Sequence, residues 1–407
     1  MDSVILQNLN RLDIGESARN ALNGSYIISC LNKFLELVQN KASVYAEGSI
    51  ILKNIDNILL SILTLMLTAI IFTSTGVIGL LSASAFIFLT VKFLFVKGQR
   101  IDFTGFELPV LLYMLIAGIS VSFSSLFLPS LKGFIKMLIY FGTYVTFLHV
   151  FRNNPKRMIY ILGVLTIAGS IEAFYAMYQQ LVGVEPLASW QDMTDVNPEQ
   201  LMNRVYGTLK PFNPNLLAGY LVAVFSPILG MAFWLVNRGK KLYSILAFAG
   251  ASAVLLSIIC TGSRGAYIAS FAMLASIFLV SGHIIWRSYG HIKWLKKLWL
   301  GIIIFGLIGA VLAVILSPAL QHRVFSIFLL RGDSSNSYRL NVYAACLKIF
   351  ADNWLIGIGP GNTTFRLVYG YYMVTGFDAL GAYSIPLETA VECGIFGLMA
   401  FLWIILL

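Results

Sequence analysis

Three arginines stand in sequence contexts that suit the binding of an anion. Arg204 lies in Arg-Val-Tyr-Gly-Thr-Leu, Arg264 in Thr-Gly-Ser-Arg-Gly-Ala, and Arg339 in Asn-Ser-Tyr-Arg-Leu-Asn. The planar guanidinium binds phosphate or carboxylate oxygens in pairs and does not lose its charge. If these side chains converge, they predict a site for a pyrophosphate or for a small anion such as bicarbonate. The alternative, an arginine lying among lipid headgroups, fits Arg339 better than Arg264.

Carboxylates inside apolar segments form a second set of candidates. Glu172 lies within one segment, and Glu388 and Glu392, four residues apart and so on one helical face, lie within another. An ionisable group in a membrane-spanning helix costs about 2.5–3.5 kcal/mol on insertion scales, so it usually faces protein or a water-filled cavity. These glutamates predict either a cavity open to one side of the membrane or pairing with arginines that holds helices together.

Other kinds of site find no support in the sequence. The four cysteines lie far apart, with no Cys-x-x-Cys pair and no partnering histidines, so neither a metal nor a redox centre is predicted. The glycines of Gly357-Ile-Gly-Pro-Gly361 follow a predicted helix rather than a strand, which favours a turn with close backbone packing over a nucleotide-binding loop. The net charge of +10 falls in short clusters between apolar segments, so nucleic acid is not a predicted partner. No cofactor is predicted.

The elements that must position these residues are membrane-spanning helices. Of the 407 residues, 58% are hydrophobic and 11% are charged, whereas soluble domains average about 45–50% and about 25%. A spanning helix needs about 20 mostly apolar residues. Ten such segments lie near residues 58–75, 77–96, 107–128, 132–151, 158–182, 214–237, 242–261, 265–286, 298–318 and 387–407. The predicted fold class is all-α, a polytopic transmembrane helical bundle with about ten spans.

Basic residues in short loops predict the orientation of the bundle, because such loops are retained in the cytoplasm. Every second loop is basic: Lys97 and Arg100, then Arg152, Lys156 and Arg157, then Arg238, Lys240 and Lys241, then Arg287, Lys293, Lys296 and Lys297. The N-terminus is then also cytoplasmic. Two long extracytoplasmic connections follow from this assignment, 183–213 and 319–386, and loops of that length are uncommon unless they bind or catalyse.

The segments outside the spans carry further predictions. The second long connection is predicted to contain a helix capped by Ser335 or Asn336. Its expected apolar stripe, which would rest on the outer leaflet, comprises Leu340, Tyr343, Leu347 and Phe350. Residues 1–57 form a predicted cytoplasmic segment whose helix near 26–38 either lies on the membrane surface or packs on the loops. The last apolar segment ends at Leu407 without a polar tail, which predicts that the protein continues beyond it.

Four stretches resemble the O-antigen ligase and polymerase superfamily of bacterial envelope proteins. They are Arg204 with Asn213-Pro-Asn-Leu-Leu-Ala-Gly-Tyr220, then Thr261 to Ala266, then Arg339 through Trp354-Leu-Ile-Gly-Ile-Gly-Pro-Gly361, and Leu387-Glu388 with Glu392-Cys-Gly-Ile-Phe-Gly-Leu398. The resemblance covers about residues 200–400 and rests on the order and spacing of the motifs. Within the superfamily, Asn213 to Tyr220 and Ser384 to Glu388 are most similar to the branch named for bicarbonate transport.

The resemblance implies a bacterial cytoplasmic-membrane protein whose large periplasmic loop covers a lateral cavity. It also implies a lipid-linked glycan as substrate, such as one carried on undecaprenyl pyrophosphate. The three arginines would hold the pyrophosphate, with Asn213, Asn215 and Tyr383 as further binding candidates. Residues 58–182 would supply the first five spans, and residues 214–407, including the loop 319–386, would form the ligase-like membrane domain.

The expected proton acceptor of the ligases is missing from this sequence. Their loop usually carries a histidine just before the last of these helices, where this chain reads Gly381-Ala-Tyr-Ser384. A general base must take the acceptor hydroxyl's proton at neutral pH, which tyrosine and serine do poorly. Glu388 is therefore the preferred catalytic candidate, ahead of His322, which is the only histidine predicted on the outer side.

Three functions follow from these residues. The first is ligation or polymerisation of a lipid-linked polysaccharide at the outer face of the membrane. The second is transport of bicarbonate or another small anion, or an accessory role in it, with the arginines and Glu172 lining the path. The third is a non-catalytic envelope scaffold. Membrane lipid is a predicted partner in all three, and the sequence predicts no oligomeric state.

Overall fold

The chain is helical throughout the part that the structure describes. The computed structural model describes residues 16–46, 48–103, 105–184, 202–328 and 334–407, in which no strand occurs. The helices are α1 Glu16–Asn23, α2 Tyr26–Ala46, α3 Ile50–Lys53, α4 Ile55–Ala69, α5 Thr75–Phe95, α6 Glu107–Phe123, α7 Phe127–Asn153, α8 Pro155–Val182, α9 Pro214–Asn237, α10 Lys241–Cys260, α11 Arg264–Ser288, α12 Lys293–Leu316, α13 Pro318–Phe325, α14 Ser334–Asp352, α15 Asn362–Tyr369 and α16 Ile385–Leu406.

Eight of these helices are long and apolar enough to cross a membrane, among the residues described. They are α5, α7, α8, α9, α10, α11, α12 and α16. Two shorter apolar helices, α4 with 15 residues and α6 with 17, correspond to the first and third of the ten predicted segments. The prediction of an all-α polytopic membrane bundle is confirmed.

Some helix boundaries differ from the predicted ones. The third predicted segment runs to residue 128, but α6 ends at Phe123 and α7 begins at Phe127. Pro129 therefore lies in the first turn of α7, where proline is tolerated because the backbone N–H there has no helical partner. At the start of α12, Lys293 is already helical rather than part of the preceding loop.

A recurrent start signal fixes the first residue of several helices. Asn154, Asn213 and Ser317 each precede a proline, and each side chain accepts a hydrogen bond from a backbone N–H of the helix that follows. The polar cap satisfies a donor that the helix leaves unpaired, and the proline has the backbone angle that a first helical residue needs. These signals begin α8, α9 and α13.

The contacts divide the chain into two compact units. The first comprises Met1–Leu63, Gly79–Asn153 and Tyr338–Leu407, and the second comprises Thr64–Ile78 and Asn154–Ser337. In the second unit α8, α9 and α10 pack on one another, and α11 packs on α9. Small residues permit the close approach: a β-carbon on Gly250 would lie 2.1 Å from Ser170 Oγ, and Ser257 donates a hydrogen bond to Ala173 O.

In the first unit α6 packs against α16, and α7 packs against α6 and α15. Helix α14 belongs to a core that also contains Phe365 and Tyr369. Its buried face is formed by Val342, Ala345, Cys346 and Ile349.

The predicted start of α14 is wrong. Ser335 and Asn336 lie inside its first turn rather than at the cap, because the helix begins at Ser334. Of the predicted apolar stripe, Leu347 is 57% exposed, as a side chain resting on the outer leaflet would be, whereas Phe350 packs against the core that contains Phe365 and Tyr369. The position of this helix on the outer leaflet stays a prediction.

Helix α2 is longer than predicted and has two unlike faces. Asn32 exchanges two hydrogen bonds with the backbone of Ile101, and Gln39 donates to Phe93 O at the end of α5. The opposite face exposes Tyr26, Ile27, Phe34 and Leu37. The polar face therefore packs on the segment after α5, and the exposed apolar face fits the predicted position on a membrane surface.

A buried ion pair in the first unit predicts an asymmetric effect of mutation. Lys92 Nζ lies 2.5 Å from Asp56 Oδ1 and 2.8 Å from His149 Nε2, and the lysine side chain is 5% exposed against 35% for the aspartate. Asp56→Ala leaves a buried cation without its counter-charge, whereas Lys92→Ala leaves a carboxylate that water reaches. We expect Asp56→Ala to lower the free energy of unfolding more, by on the order of 3 kcal/mol, as measured by thermal unfolding in detergent.

The exposed pair Arg152–Asp102 supplies the control for this experiment. Its side chains are 42% and 46% exposed, so Asp102→Ala should cost less than about 1 kcal/mol. Equal destabilisation by Asp56→Ala and Lys92→Ala would contradict the assignment of Lys92 as the buried partner.

Candidate functional site

The turn between α10 and α11 gathers two arginines from distant parts of the second unit. Arg204 Nε donates to Thr261 O at 2.8 Å, and Arg323 Nε donates to Gly262 O at 3.0 Å. Arg264 begins α11 two residues after Gly262. We call Arg204, Arg264 and Arg323 the arginine cluster. Two guanidiniums therefore hold this turn, and Arg264 leaves it as the first residue of α11, so the turn gathers several potential donors for an anion.

Gly262 is required by the geometry of this turn. Its φ of 61° lies in the region that glycine adopts without strain. A β-carbon there would lie 3.1 Å from Met202 Sδ, 3.2 Å from Arg204 Cγ and 3.3 Å from Arg204 Nε. The glycine therefore allows both the backbone conformation and the close approach of Arg204.

The predicted residues Asn213 and Asn215 join Arg204. Arg204 Nη2 donates to Asn215 Oδ1 at 2.7 Å. Asn213 caps α9, and its Oδ1 accepts the backbone N–H of Asn215 at 2.8 Å. Asn213 thus fixes the helix start, and Asn215 orients one edge of the guanidinium.

Arg264 connects the turn to the end of α13. Its Nη1 donates to Ser326 Oγ at 3.0 Å, and Asn336 Nδ2 donates to Ser326 O at 3.0 Å. A cation in the first turn of a helix is opposed by the helix dipole, whereas a bound anion is favoured there. The position of Arg264 as the first residue of α11 therefore suits anion binding rather than helix stability.

Arg323 is a cluster member that sequence reasoning did not select. Its side chain is buried, with 8% exposed. Leu320, three residues earlier in α13 and also 8% exposed, shares the buried face with it. The available signal was the start motif of Ser317 and the following proline after a predicted span, which indicates a short helix that contains Arg323.

Glu172 has a different role from the arginines. It is 1% exposed, and its carboxylate contacts Thr208 through the backbone N–H and the hydroxyl, each at 2.7 Å. Gly207 is necessary here because a β-carbon would lie 2.0 Å from Glu172 Oε1. Gln179 accepts the N–H of Gly207 at 2.8 Å. Glu172 and Gln179 hold the segment that follows Arg204, so Glu172 acts as a positioning residue.

The first unit contains a broken helix at its own candidate site. Helix α16 is interrupted at Gly394, whose φ is 67°. The segment before α15 runs beside the break: Ile358 N donates to Val391 O, Gly359 N donates to Glu392 O, and Ile395 N donates to Trp354 O. These bonds satisfy backbone groups near the interruption, as non-helical backbone in a membrane protein requires. Broken helices of this kind often border binding sites.

The predicted turn at Gly357 to Gly361 is confirmed, and its backbone packing is very close. A β-carbon on Gly359 would lie 2.2 Å from Ser130 Oγ, and one on Gly133 of α7 would lie 2.2 Å from Pro360 O. Ser124 Oγ donates to Ile358 O at 2.6 Å. These glycines allow α7 and this segment to pack closely against each other.

Glu388 and Glu392 both receive backbone hydrogen bonds. Glu392 Oε1 accepts the N–H of Gly361 at 2.8 Å, and Glu388 Oε2 accepts the N–H of Ala382 at 3.0 Å. Glu388 is partly exposed. Its second oxygen makes no hydrogen bond or ion pair within the described residues, so Glu388 anchors the loop before α16 while one carboxylate oxygen remains available.

Tyr383 and Arg339 also lie in the first unit. Tyr383 has a φ of 52°, is 49% exposed and packs edge-on against Tyr338 at 5.8 Å. Burial and the neighbouring Tyr383 raise the pKa of the Tyr338 phenol, so this hydroxyl is a donor at neutral pH, and its partner is Asp378 O. Arg339 is partly exposed and forms no hydrogen bond or ion pair with any described residue.

Cys346 is poorly suited to act as a nucleophile. Burial raises the pKa of its thiol to about 12, and the nearby Glu388 adds to the rise. Because the thiolate is the reactive form, we expect maleimide at neutral pH to modify the exposed Cys30 and to spare Cys346 until the protein is denatured. Peptide mass spectrometry measures this, and rapid labelling of Cys346 in the folded protein would contradict it.

An apolar groove of about 630 Å³ lies beside the helix break in the first unit. Helices α6 and α16 and the start of the glycine segment form its walls. They contribute Leu112, Leu115, Ile116, Ile119, Leu355, Ile356, Phe396, Met399, Ala400 and Trp403. Such a groove accepts a hydrocarbon chain rather than a polar ligand. Within the described residues no group of His, Cys, Asp and Glu is placed to hold a metal ion.

Comparison with known proteins gives one match. Residues 249–402 match the family model described as O-Antigen ligase. No curated protein and no solved structure matches the chain. The matched segment runs from α10 to α16 and includes Arg264, Arg323, Arg339 and Glu388, whereas Arg204 precedes it. The C-terminal part of this polytopic membrane protein is therefore similar to the O-antigen ligases.

Proposed function

We propose that this protein transfers or polymerises a lipid-linked glycan at the outer face of the bacterial cytoplasmic membrane. The observation that carries the proposal is the arginine cluster: Arg204 and Arg323 donate hydrogen bonds to the turn from which Arg264 begins α11, inside the segment similar to O-antigen ligases. A substrate of that class carries its glycan on a pyrophosphate, and guanidinium forks bind phosphate oxygens in pairs.

The cluster is suited to stabilise the departing pyrophosphate. Carbonyl and amide contacts fix the planes of Arg204 and Arg323 before any ligand binds. Donors preorganised toward a developing charge contribute several kcal/mol to catalysis. The bond from the sugar to the pyrophosphate breaks with its electron pair on the pyrophosphate, and a new bond forms from the sugar to the acceptor oxygen.

The proton of the acceptor hydroxyl goes to Glu388 in this proposal. Its available carboxylate oxygen is the supporting observation, together with the absence of the usual histidine before α16. Within the first unit, the apolar groove beside the break in α16 is suited to a hydrocarbon chain. Arg339 and Tyr383, both partly exposed in the first unit, are candidates for contacts with the glycan.

The outer-face location makes a prediction for labelling in cells. In a Cys30→Ser background, cysteine at Thr375 should react with a membrane-impermeant thiol reagent in intact cells, whereas cysteine at Gly239 should react only after permeabilisation. A site at Asn197, predicted to behave like Thr375, lies outside the described residues. Labelling at Gly239 in sealed cells would overturn the orientation and the proposed location of the arginine cluster.

Lipid analysis of a deletion strain tests the enzyme directly. We expect undecaprenyl-linked glycan to accumulate and to disappear when the wild-type gene is restored. A small-anion transporter, the function suggested by the bicarbonate branch, predicts no such accumulation and predicts bicarbonate uptake into proteoliposomes that depends on Arg264. A scaffold predicts neither transfer nor uptake by the purified protein.

A further inference from the structure

A basic cleft in the second unit is separate from the arginine cluster. Its volume is about 700 Å³, and it lies where α8 begins, α9 ends and α10 begins. Its lining includes Lys156, Arg238, Lys240, Trp234, Tyr243 and Ile159. Three candidate spans terminate at this cleft, so it belongs to the boundary between the hydrocarbon layer and water.

Within the part of the chain that the structure describes, the three cations of the cleft have no ion-pair partner. Lys156, Arg238 and Lys240 form no ion pair with any residue in the described ranges. Arg238 instead lies over the ring of Trp234, with its central carbon 5.3 Å from the ring centroid. Like charges gathered in one cleft repel one another, and binding of an anion removes that repulsion.

The remaining residues that line the cleft favour an anion that also carries apolar groups. Trp234, Tyr243 and Ile159 border the cations, and aromatic side chains at the end of a span commonly lie at the headgroup level. Basic pockets between membrane helices on the cytoplasmic side bind phosphorylated lipid headgroups, and the charge pattern predicts that side for these loops. A free phosphate would use the cations but not the apolar walls.

We propose that this cleft binds the headgroup of an anionic phospholipid, with Lys156, Arg238 and Lys240 contacting its phosphate oxygens. The bound lipid bridges α8, α9 and α10. Because α9 starts at the arginine cluster and ends at the cleft, lipid binding stabilises the helix that carries Asn215. The proposal does not depend on the protein being a glycan transferase.

Native mass spectrometry of the full-length chain in detergent tests this site. Cardiolipin and phosphatidylglycerol should bind, and phosphatidylcholine should not. The triple variant Lys156→Gln, Arg238→Gln and Lys240→Gln should bind cardiolipin at least about tenfold more weakly, given the contribution of each basic residue near an anionic lipid surface. The matched control removes three charges elsewhere, through Arg287→Gln, Lys293→Gln and Lys297→Gln, and should bind like the wild type.

Three outcomes would overturn the proposal: equal cardiolipin binding by the triple variant, an equal loss in the control variant, or binding of phosphatidylcholine as strong as that of cardiolipin. Displacement of cardiolipin by millimolar inorganic phosphate would show that the cleft binds a free anion rather than a lipid headgroup. If the triple variant fails to fold, the single variants Lys156→Gln and Lys240→Gln can be used instead. Both side chains are exposed, so these variants should fold, and each should bind cardiolipin more weakly than the wild type. Unchanged binding by both would count against the site.

Discussion

Replacing Arg264 with lysine is expected to lower the rate of glycan transfer about 10²–10³-fold, the range for loss of one preorganised donor, and nearly as far as replacement with alanine. Lysine retains the positive charge but offers a point charge on a flexible stem instead of a planar fork. The contact from Arg264 Nη1 to Ser326 Oγ uses one edge of that fork. The measurement is transfer by purified protein in proteoliposomes with lipid-linked glycan.

The matched control for this prediction is Arg366→Lys. Arg366 forms an exposed ion pair with Asp378 at 3.1 Å, with side chains 51% and 63% exposed, so its replacement should leave the transfer rate close to that of the wild type. Arg323→Lys should resemble Arg264→Lys, because Arg323 holds the same turn from a buried position. Full activity of Arg264→Lys at normal protein levels would show that Arg264 only contacts lipid headgroups and does not bind the substrate.

Replacing Glu388 with glutamine is expected to lower transfer about 10²–10⁴-fold, the usual contribution of a general base, while the protein remains folded. Glutamine retains a carbonyl oxygen that can accept the N–H of Ala382, so the loop before α16 keeps its anchor. It cannot take a proton from the acceptor hydroxyl. Glycan transfer and thermal unfolding of the same preparation are the two measurements.

Comparison with Glu388→Ala separates the catalytic role from the anchoring role. Alanine removes both the base and the acceptor for Ala382 N–H, so this variant should lose stability as well as activity. His322→Ala, in contrast, should change the transfer rate little. Wild-type activity of Glu388→Gln together with inactivity of Glu388→Ala would show that Glu388 positions the loop and does not accept the proton.

The sequence by itself determined the helical class and most helix positions. These properties depend on stretches of about 20 neighbouring residues, which must be apolar wherever a helix meets lipid. Local capping chemistry likewise determined where α9 begins, with Asn213 as its cap. This start places Asn215 where it accepts a hydrogen bond from Arg204. The turn at Gly357 to Gly361 was also predictable, because glycine-rich backbone that follows a helix favours close packing.

The composition of the arginine cluster was decided only by the tertiary structure. Arg204 is hydrogen-bonded to Thr261, which lies 57 residues away in the sequence, and Arg323 is hydrogen-bonded to Gly262, which lies 61 residues away. No local periodicity encodes such separations. Sequence reasoning therefore selected Arg204 and Arg264 from their motifs but missed Arg323, which becomes a site residue only because α13 turns its buried face toward Gly262.

The role of Glu172 and the buried face of α14 were decided in the same way. A carboxylate inside a span predicts a partner or a cavity, but only the fold identifies the backbone N–H of Thr208 as that partner. For α14, the helical period was predictable, but the side chains that face the protein were not, because they depend on which neighbours fill the core. Val342 and Ala345 face the core that contains Phe365 and Tyr369, while Leu347 remains exposed.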